Sequence, residues 1–153
     1  MAALDEFAQL PMNDCPLCLR RNEILIHGGE DLRVILVDDR DYPGYCRVIW
    51  NAHVAEMTDL SAAQIARLMG TVFAVEEALR AVLRPHKINL ASLGNVVPHL
   101  HWHVIARFAD DAHFPQPIWG PRQREPDAVR LAQRHAQLAA LRAAITARLA
   151  TLG

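Results

Sequence analysis

Cysteine is scarce in this chain, whose 153 residues include only three, and an odd number argues against a framework of disulfide bonds. Neither sign of charge is in excess, because 16 basic and 17 acidic residues leave a formal net charge of −1. That balance excludes a basic arm for nucleic acid and a polybasic membrane surface. No apolar run approaches the length of a bilayer span, so no membrane partner is expected.

The N-terminal sequence MAALDEFAQLPMNDC carries acids early and lacks the basic region of a secretory signal. Together with the low cysteine content, this favours the reducing cytoplasm as the compartment. The composition, 52% hydrophobic and 22% charged, is that of an ordinary globular chain. A chain of this length is the size of one domain, so we expect a single domain over 1–153.

Strand-like segments cluster around one long helical segment. Five segments are predicted as strands: 23–27, 32–37, 46–51, 88–95 and 99–107. Ser61 and Gln64 have the spacing of a capping box, so the main helix begins there, and Pro85 ends it. A loop is expected over 109–126, followed by a C-terminal helix over about 127–150. Strands without regular βαβ alternation predict an α+β fold with a mostly antiparallel sheet.

The segment PHLHWHVIAR, residues 98–107, places a histidine at every second position. Side chains on a strand alternate between its two faces, so His99, His101 and His103 are predicted to share one face. Leu100, Trp102 and Val104 then point to the core. Burying three imidazoles in a dry core is costly without partners, so the histidine face should open to a cleft or a bound ion.

Three interpretations of this histidine face are compatible with the residues alone. It is an exposed face that happens to carry histidine, or a metal clamp, since imidazoles in H-x-H spacing bind zinc well. In the third, a neutral imidazole attacks phosphorus and forms a covalent intermediate. Arg107 alternates onto the same face and could then stabilise phosphate charge.

The pattern from His99 to Ile105 resembles the histidine triad (HIT) signature, in which three histidines alternate with apolar residues. The resemblance covers about residues 15–120 and looks most like the bacterial branch described as diadenosine tetraphosphate hydrolase-like. It implies the HIT fold, with a sheet of about five strands and one main helix. The C-terminal helix would be an extension to that core. The family usually dimerises by extending its sheet, so a homodimer is implied. Many members end this strand in Pro-Arg, whereas this chain has Ala106 and Arg107.

Site roles follow from the same resemblance. The middle histidine, His101, is the implied nucleophile, His103 serves the phosphate or the leaving group, and His99 orients the site or binds metal. An upstream amide near the sugar and phosphate falls on Asn89, and Asn95 is a second candidate for a phosphate contact. The acidic residue that touches the ribose corresponds to Asp38, and Asp39 is equally placed. Arg107 would serve the phosphate and leaving group. His113 and Trp119 lie in a loop that approaches the active site in relatives.

The cysteine pair in DCPLC has three interpretations. A redox pair should start a helix after a strand, and no strand is predicted before it. Two reduced thiols without a metal are the second interpretation. Some HIT relatives hold structural zinc with such a pair, a histidine after the third strand and the first triad histidine, which correspond here to Cys15, Cys18, His53 and His99. Cys46 is expected to be buried packing.

The implied function is a nucleotide hydrolase or nucleotidyl transferase. It would cleave a nucleoside phosphoanhydride or phosphoramidate, such as a dinucleoside polyphosphate, through a nucleotidyl-histidine. No catalytic cofactor is needed for this chemistry, since the zinc would be structural. Two alternatives stay open: a non-catalytic nucleotide-binding or zinc-stabilised interaction module on the same fold, and a metallohydrolase with three histidines on one ion.

Overall fold

The computed structural model describes residues 12–152 and is built on one antiparallel sheet. Its five strands are β1 (Ile24–Gly28), β2 (Leu32–Leu36), β3 (Cys46–Trp50), β4 (Lys87–Ala91) and β5 (His101–Arg107). Their spatial order is β1-β2-β3-β5-β4, so β5 lies inside the sheet between β3 and β4. The predicted α+β fold with five antiparallel strands is confirmed. Residues 1–11 and 153 lie outside the described range, and with them most of the segment in which no secretory signal is predicted.

In the described part of the chain, four α-helices accompany the sheet: α1 (Pro16–Leu19), α2 (Ala62–Leu83), α3 (Ala128–His135) and α4 (Leu138–Ala150). A short 3-10 helix, Met57–Asp59, precedes α2. The predicted capping box is present at the start of α2. Gln64 N donates to Ser61 Oγ at 3.2 Å, and Ser61 N donates to Gln64 Oε1 at 2.8 Å. Within residues 12–152, no helix is both long and apolar enough to span a membrane.

The C-terminal segment forms two helices where the sequence predicted one. Asp127 caps α3, because its side chain accepts from two backbone N–H groups of the first turn. None of the residues of α3 is buried, and Val129 is 68% exposed. After the break, α4 turns Leu141, Ile145 and Leu149 into the core, where it contacts α2 and β1.

The main core lies on the sheet face that α2 and α4 cover. Leu100 and Val104 are buried in it, and Trp102 packs against its edge, so the predicted core face of the histidine segment is confirmed. Phe73 of α2 lies outside this core and is 51% exposed. The opposite face of β5 is therefore the one available for a site.

Two strand boundaries differ from the prediction and shape the site. β4 ends at Ala91 and β5 begins at His101, so residues 92–100 form a connection. The hydroxyl of Ser92 donates to His101 O at 2.9 Å and holds this connection against the strand. As a result His99 precedes β5, which frees its ring to join the N-terminal turn at α1.

Candidate active site

A cleft of about 370 Å³ opens on the sheet face opposite the helices. His101 and His103 of β5 and Arg47 of β3 line it from the sheet. The connection after β4, the α1 turn and Trp119 complete its walls. The ring centroid of His103 lies 4.8 Å from that of His101 and 4.9 Å from that of Trp119.

His101 is held in one tautomer by the backbone. Its Nδ1 lies 2.5 Å from the carbonyl oxygen of His99, and a carbonyl oxygen only accepts hydrogen bonds. The proton therefore sits on Nδ1, and Nε2 carries a free lone pair. Burial lowers the pKa of His101 below its usual value, which favours the neutral, nucleophilic ring.

His103 is held in the opposite tautomer by a tyrosine. Its Nδ1 lies 2.5 Å from the hydroxyl of Tyr45, and burial raises the pKa of Tyr45, so that hydroxyl keeps its proton and donates it. Burial, helped by repulsion from His101 when that ring is protonated and by the charge of Arg47, lowers the pKa of His103 to about 3, so the ring is neutral at physiological pH. Its proton is therefore on Nε2. The two rings thus offer the cleft one bare nitrogen and one N–H donor.

The predicted metal ligands are brought together beside this cleft. The ligand atoms of Cys15, Cys18, His53 and His99 all lie within 4.8 Å of one another. His99 Nε2 lies 2.6 Å from the carbonyl oxygen of Trp50, which leaves Nδ1 unprotonated and directed at the other three side chains. Such an orienting hydrogen bond on the far ring nitrogen is typical of metal-binding histidine.

The spacing within this group fits a tetrahedral zinc site. Bonds of about 2.3 Å to sulfur and about 2.0 Å to nitrogen separate neighbouring ligand atoms by about 3.5 Å for sulfur–nitrogen and about 3.3 Å for nitrogen–nitrogen. Observed sulfur–nitrogen distances are 3.3 and 3.4 Å, and His53 Nδ1 lies 3.3 Å from His99 Nδ1. Four protein ligands leave no open position for substrate, which is the pattern of a structural site.

A buried arginine ties the α1 turn to the sheet. Arg33, 1% exposed, donates to the carbonyl oxygen of Leu17 at 2.7 Å and forms two hydrogen bonds with the carboxylate of Glu23. Asn51 Oδ1 accepts a further bond from it at 3.1 Å. This contact holds Cys15 and Cys18 next to His53, which follows β3, and His99, which precedes β5.

Arg107 and Asn89 form a buried network rather than a wall of the cleft. Arg107, 2% exposed, donates twice to the Asp111 carboxylate at 2.7 and 3.1 Å and once to Asn89 Oδ1 at 2.7 Å. Its remaining bond goes to the carbonyl oxygen of Gln116 in the loop after β5. The charge of Arg107 is thus neutralised by Asp111, and the network anchors the loop that carries Trp119.

Asp111→Asn is expected to destabilise the fold by about 3 kcal/mol, because it leaves the Arg107 cation buried without its counter-charge. Burial raises the pKa of Asp111, but the hydrogen bonds from Arg107 and from backbone N–H groups outweigh it and lower the pKa overall. The stabilisation is therefore complete at neutral pH and is lost as pH falls through that lowered pKa. Thermal unfolding at neutral and acidic pH measures both effects.

The control for this change is Asp110→Asn, since the ion pair of Asp110 with Arg134 is more accessible to solvent. We expect it to cost about 1 kcal/mol or less. Equal losses in the two variants would mean that the Arg107–Asp111 pair has no special weight in the fold.

The other predicted polar residues lie at different places. Asn95 lines the histidine cleft. Asp38 lines a second cleft of about 220 Å³, next to Arg47. Asp39 instead accepts a hydrogen bond from the backbone N–H of Asp41 at 2.9 Å, as turn residues do. Of the two aspartates, Asp38 is therefore the one placed to meet a ligand.

Tyr45 and Arg47 are site residues that the sequence did not identify. Arg47 is the Cα partner of His103 in the β3–β5 ladder, and Tyr45 stands two residues earlier on the same face. The sequence does contain a hint of Arg47, because it is the one charged residue in the apolar strand CRVIWN. That hint identifies a site residue only if β3 is known to pair with the histidine strand, and the sequence does not show this pairing.

An antiparallel sheet whose inner strand presents alternating histidines to a cleft defines the class of histidine triad proteins. A HIT domain model matches residues 22–110. The chain therefore belongs to the HIT family.

A protein of known name is similar to part of this sequence. An AP-4-A phosphorylase of Mycobacterium tuberculosis is 31% identical over 118 residues, which cover 73% of this chain and 60% of the relative. The chain thus spans about 60% of the length of that curated relative.

Solved structures show the same fold. A histidine triad protein from Bradyrhizobium japonicum is 32% identical, with a TM-score of 0.68, covering 90% of this chain and 97% of that chain. A zinc-bound histidine triad family protein from Mycobacterium smegmatis is 24% identical, with a TM-score of 0.62, covering 94% of this chain and 100% of that chain. At that lower identity the likeness is one of fold.

Proposed function

We propose that the protein is a nucleotide-processing enzyme that cleaves a nucleoside phosphoanhydride or phosphoramidate, such as a dinucleoside polyphosphate. The observation that carries this proposal is the pair of opposite tautomers, since a bare nitrogen beside an N–H donor suits attack on phosphorus. Family membership and the phosphorylase relative support the nucleotide as substrate.

In this mechanism the Nε2 lone pair of His101 forms a bond to the α-phosphorus. The bond from phosphorus to the bridging oxygen breaks, and its electron pair leaves with that oxygen. His103 Nε2–H donates a hydrogen bond to the oxygen that gains charge. The oxygen of an acceptor then forms a bond to phosphorus and, when the acceptor is water, loses a proton to the solvent. The phosphorus–nitrogen bond breaks, and its electron pair returns to His101 Nε2. Asn95 is proposed to contact the phosphate and Asp38 the ribose.

Either of two acceptors would complete the proposed reaction. Water would release a nucleoside monophosphate, as in a hydrolase. Inorganic phosphate would release a nucleoside diphosphate, as the name of the phosphorylase relative suggests. Supplying each acceptor to the labelled enzyme and separating the products distinguishes the hydrolase from the transferase.

The covalent step is tested with a radiolabelled diadenosine polyphosphate. The reaction is quenched without acid, because a phosphorus–nitrogen bond is acid-labile, and the peptides are mapped. Label on His101 is expected. Product formation by the wild-type enzyme with no label on the protein at any time before steady state would contradict the mechanism.

Zinc is proposed as a structural ion held by Cys15, Cys18, His53 and His99. When bound, it would supply a cross-link between the α1 turn and the start of β5. A single catalytic ion on three histidines is not favoured. His101 Nδ1 and His103 Nδ1 are used by His99 O and Tyr45, and the four-residue group is the metal-type cluster found within residues 12–152.

A homodimer and a cytoplasmic location remain part of the proposal. β4 is an edge strand of the sheet, and we propose that its outer backbone groups pair with a second copy. Light scattering should then give twice the 17.1 kDa of one chain.

Tyr45→Phe is expected to lower kcat about tenfold to a hundredfold with little change in KM. The change removes the hydroxyl that fixes the His103 proton on Nε2, so the donor facing the substrate is lost part of the time. Steady-state kinetics measures the rate, and ¹⁵N chemical shifts of the His103 ring report its tautomer.

Tyr42→Phe is the matched control, because it also removes a buried hydroxyl but one that contacts Asp111 and His113. It should lower stability and leave the His103 tautomer intact. An unchanged His103 tautomer in Tyr45→Phe would show that the tyrosine does not position that ring.

A further inference from the structure

Arg47 stands at the boundary between the two clefts of this sheet face. It lines the histidine cleft together with His101 and His103, and it also lines the second cleft together with Asp38. In the β3–β5 ladder it lies directly opposite His103, and cross-strand partners project from the same face of a sheet. Any ligand that extends from His101 into the second cleft therefore passes its guanidinium.

The positive charge of Arg47 has no counter-charge among the described residues. No carboxylate in residues 12–152 forms an ion pair with it, and its Nε is buried without a hydrogen-bond partner. The other two arginines of the sheet differ in this respect, since Arg33 is paired with Glu23 and Arg107 with Asp111. The guanidinium does lie 5.7 Å from the ring centroid of Tyr45, but a neutral ring is not a counter-charge. A cation with a buried, unpartnered N–H is costly unless an anion binds it.

Arg47 is also the one cation among the described residues that line the histidine cleft. Its neighbours there are His101 and His103, whose Nδ1 atoms contact His99 O and Tyr45, so that their other ring nitrogens remain for the cleft. A phosphate bound at His101 carries negative charge that grows during attack. The planar guanidinium, with several N–H donors in a fixed fork, matches phosphate oxygens.

We propose that Arg47 binds the phosphate attached to the nucleoside while His101 attacks it, and that it supplies the positive charge that the contact proposed for Asn95 lacks. The proposal rests on the proposed function, and it adds the residue that makes the site select nucleotides over nucleosides. Arg47 rather than Arg107 makes this contact, because the donors of Arg107 already bond to Asp111 and to the carbonyl oxygen of Gln116.

The test compares the binding of adenosine monophosphate and adenosine by calorimetry. The wild-type protein is expected to bind the monophosphate about tenfold to a hundredfold more tightly than the nucleoside, as a charge-assisted contact predicts. Arg47→Met should remove most of that ratio while changing adenosine affinity less than about threefold. Arg47→Lys, which keeps a cation but loses the fork, should retain part of it.

Arg80→Met is the control for net charge, because Arg80 lies on α2, away from both clefts. It should leave the ratio unchanged. Thermal unfolding of Arg47→Met is expected to be no lower than wild type, since an unpaired charge has been removed. An unchanged ratio in Arg47→Met, or an equal loss of adenosine and monophosphate binding, overturns the proposal.

These measurements involve no turnover, so they separate this proposal from the covalent mechanism. A ratio that depends on Arg47 without label on His101 supports the phosphate contact and rejects the enzyme mechanism. Label on His101 with a ratio independent of Arg47 rejects the phosphate contact alone.

Discussion

His101→Ala should reduce nucleoside monophosphate release from a dinucleoside polyphosphate by at least about a thousandfold, because it removes the nucleophile of the proposed mechanism. His101 is 8% exposed, and its ring is fixed by one hydrogen bond to His99 O. Alanine removes this ring without displacing the core residues on the other face of β5. Substrate binding should persist, since Arg47 and Asp38 are untouched.

The matched control is His27→Ala, which removes an imidazole from β1, outside the histidine cleft. Its rate should equal that of the wild type. Equal release by His101→Ala and the wild type would show that His101 is not the nucleophile. If neither protein releases product faster than a solution without protein, while both still bind nucleotide, the non-catalytic nucleotide-binding module is favoured instead. Zinc content should be unchanged in His101→Ala, because the four proposed ligands remain.

Cys15→Ala should remove the zinc and lower the unfolding midpoint by about 10 °C or more. Cys15 is fully buried, with its sulfur 3.4 Å from His99 Nδ1, and a structural metal contributes its binding energy to folding. A loss of a few kcal/mol corresponds to such a shift in a chain of this size. Elemental analysis should find about one zinc per chain in the wild type and little in the variant.

Activity should fall in Cys15→Ala as well, because His99 connects the two sites. Its ring faces the proposed zinc ligands, and its backbone carbonyl holds the proton of His101. Cys46→Ala is the control, since Cys46 is equally buried but bonded only to Gly44 O. It should keep zinc and cost about 1 kcal/mol. Full zinc occupancy in Cys15→Ala would contradict the assignment of this ligand.

Local patterns predicted most of the fold. Strict alternation identified Leu100 and Val104 as core, and the spacing of Ser61 and Gln64 identified the start of α2. Boundaries that depend on tertiary contacts were wrong. His99 was placed on the strand because alternation continues through it, but its ring turns to the α1 cysteines and β5 starts two residues later.

The site was predicted only in part, because it also depends on tertiary contacts. His101, His103 and the four metal-type residues come together as expected, although their roles stay predictions. Arg107 was predicted to face the phosphate, whereas the structure gives its donors to Asp111, Asn89 and Gln116. Sequence reasoning could not foresee this, because Asp111 reaches Arg107 only through the tight turn after β5. Identifying Tyr45 and Arg47 as residues of this site required the β3–β5 register, which the sequence does not show.

The position of β5 inside the sheet separates the proposed reactive histidines from the connections that form most of the cleft wall. Because β5 is hydrogen-bonded on both sides, a shift of one residue would exchange the histidines with Leu100 and Trp102 and break two ladders at once. The proposed reactive rings thus lie on a strand that is hydrogen-bonded along both edges. The cleft walls come instead from connections, namely the segment after β4 and the loop of Trp119. Exchanging those connections should retune substrate choice while the reaction itself stays the same.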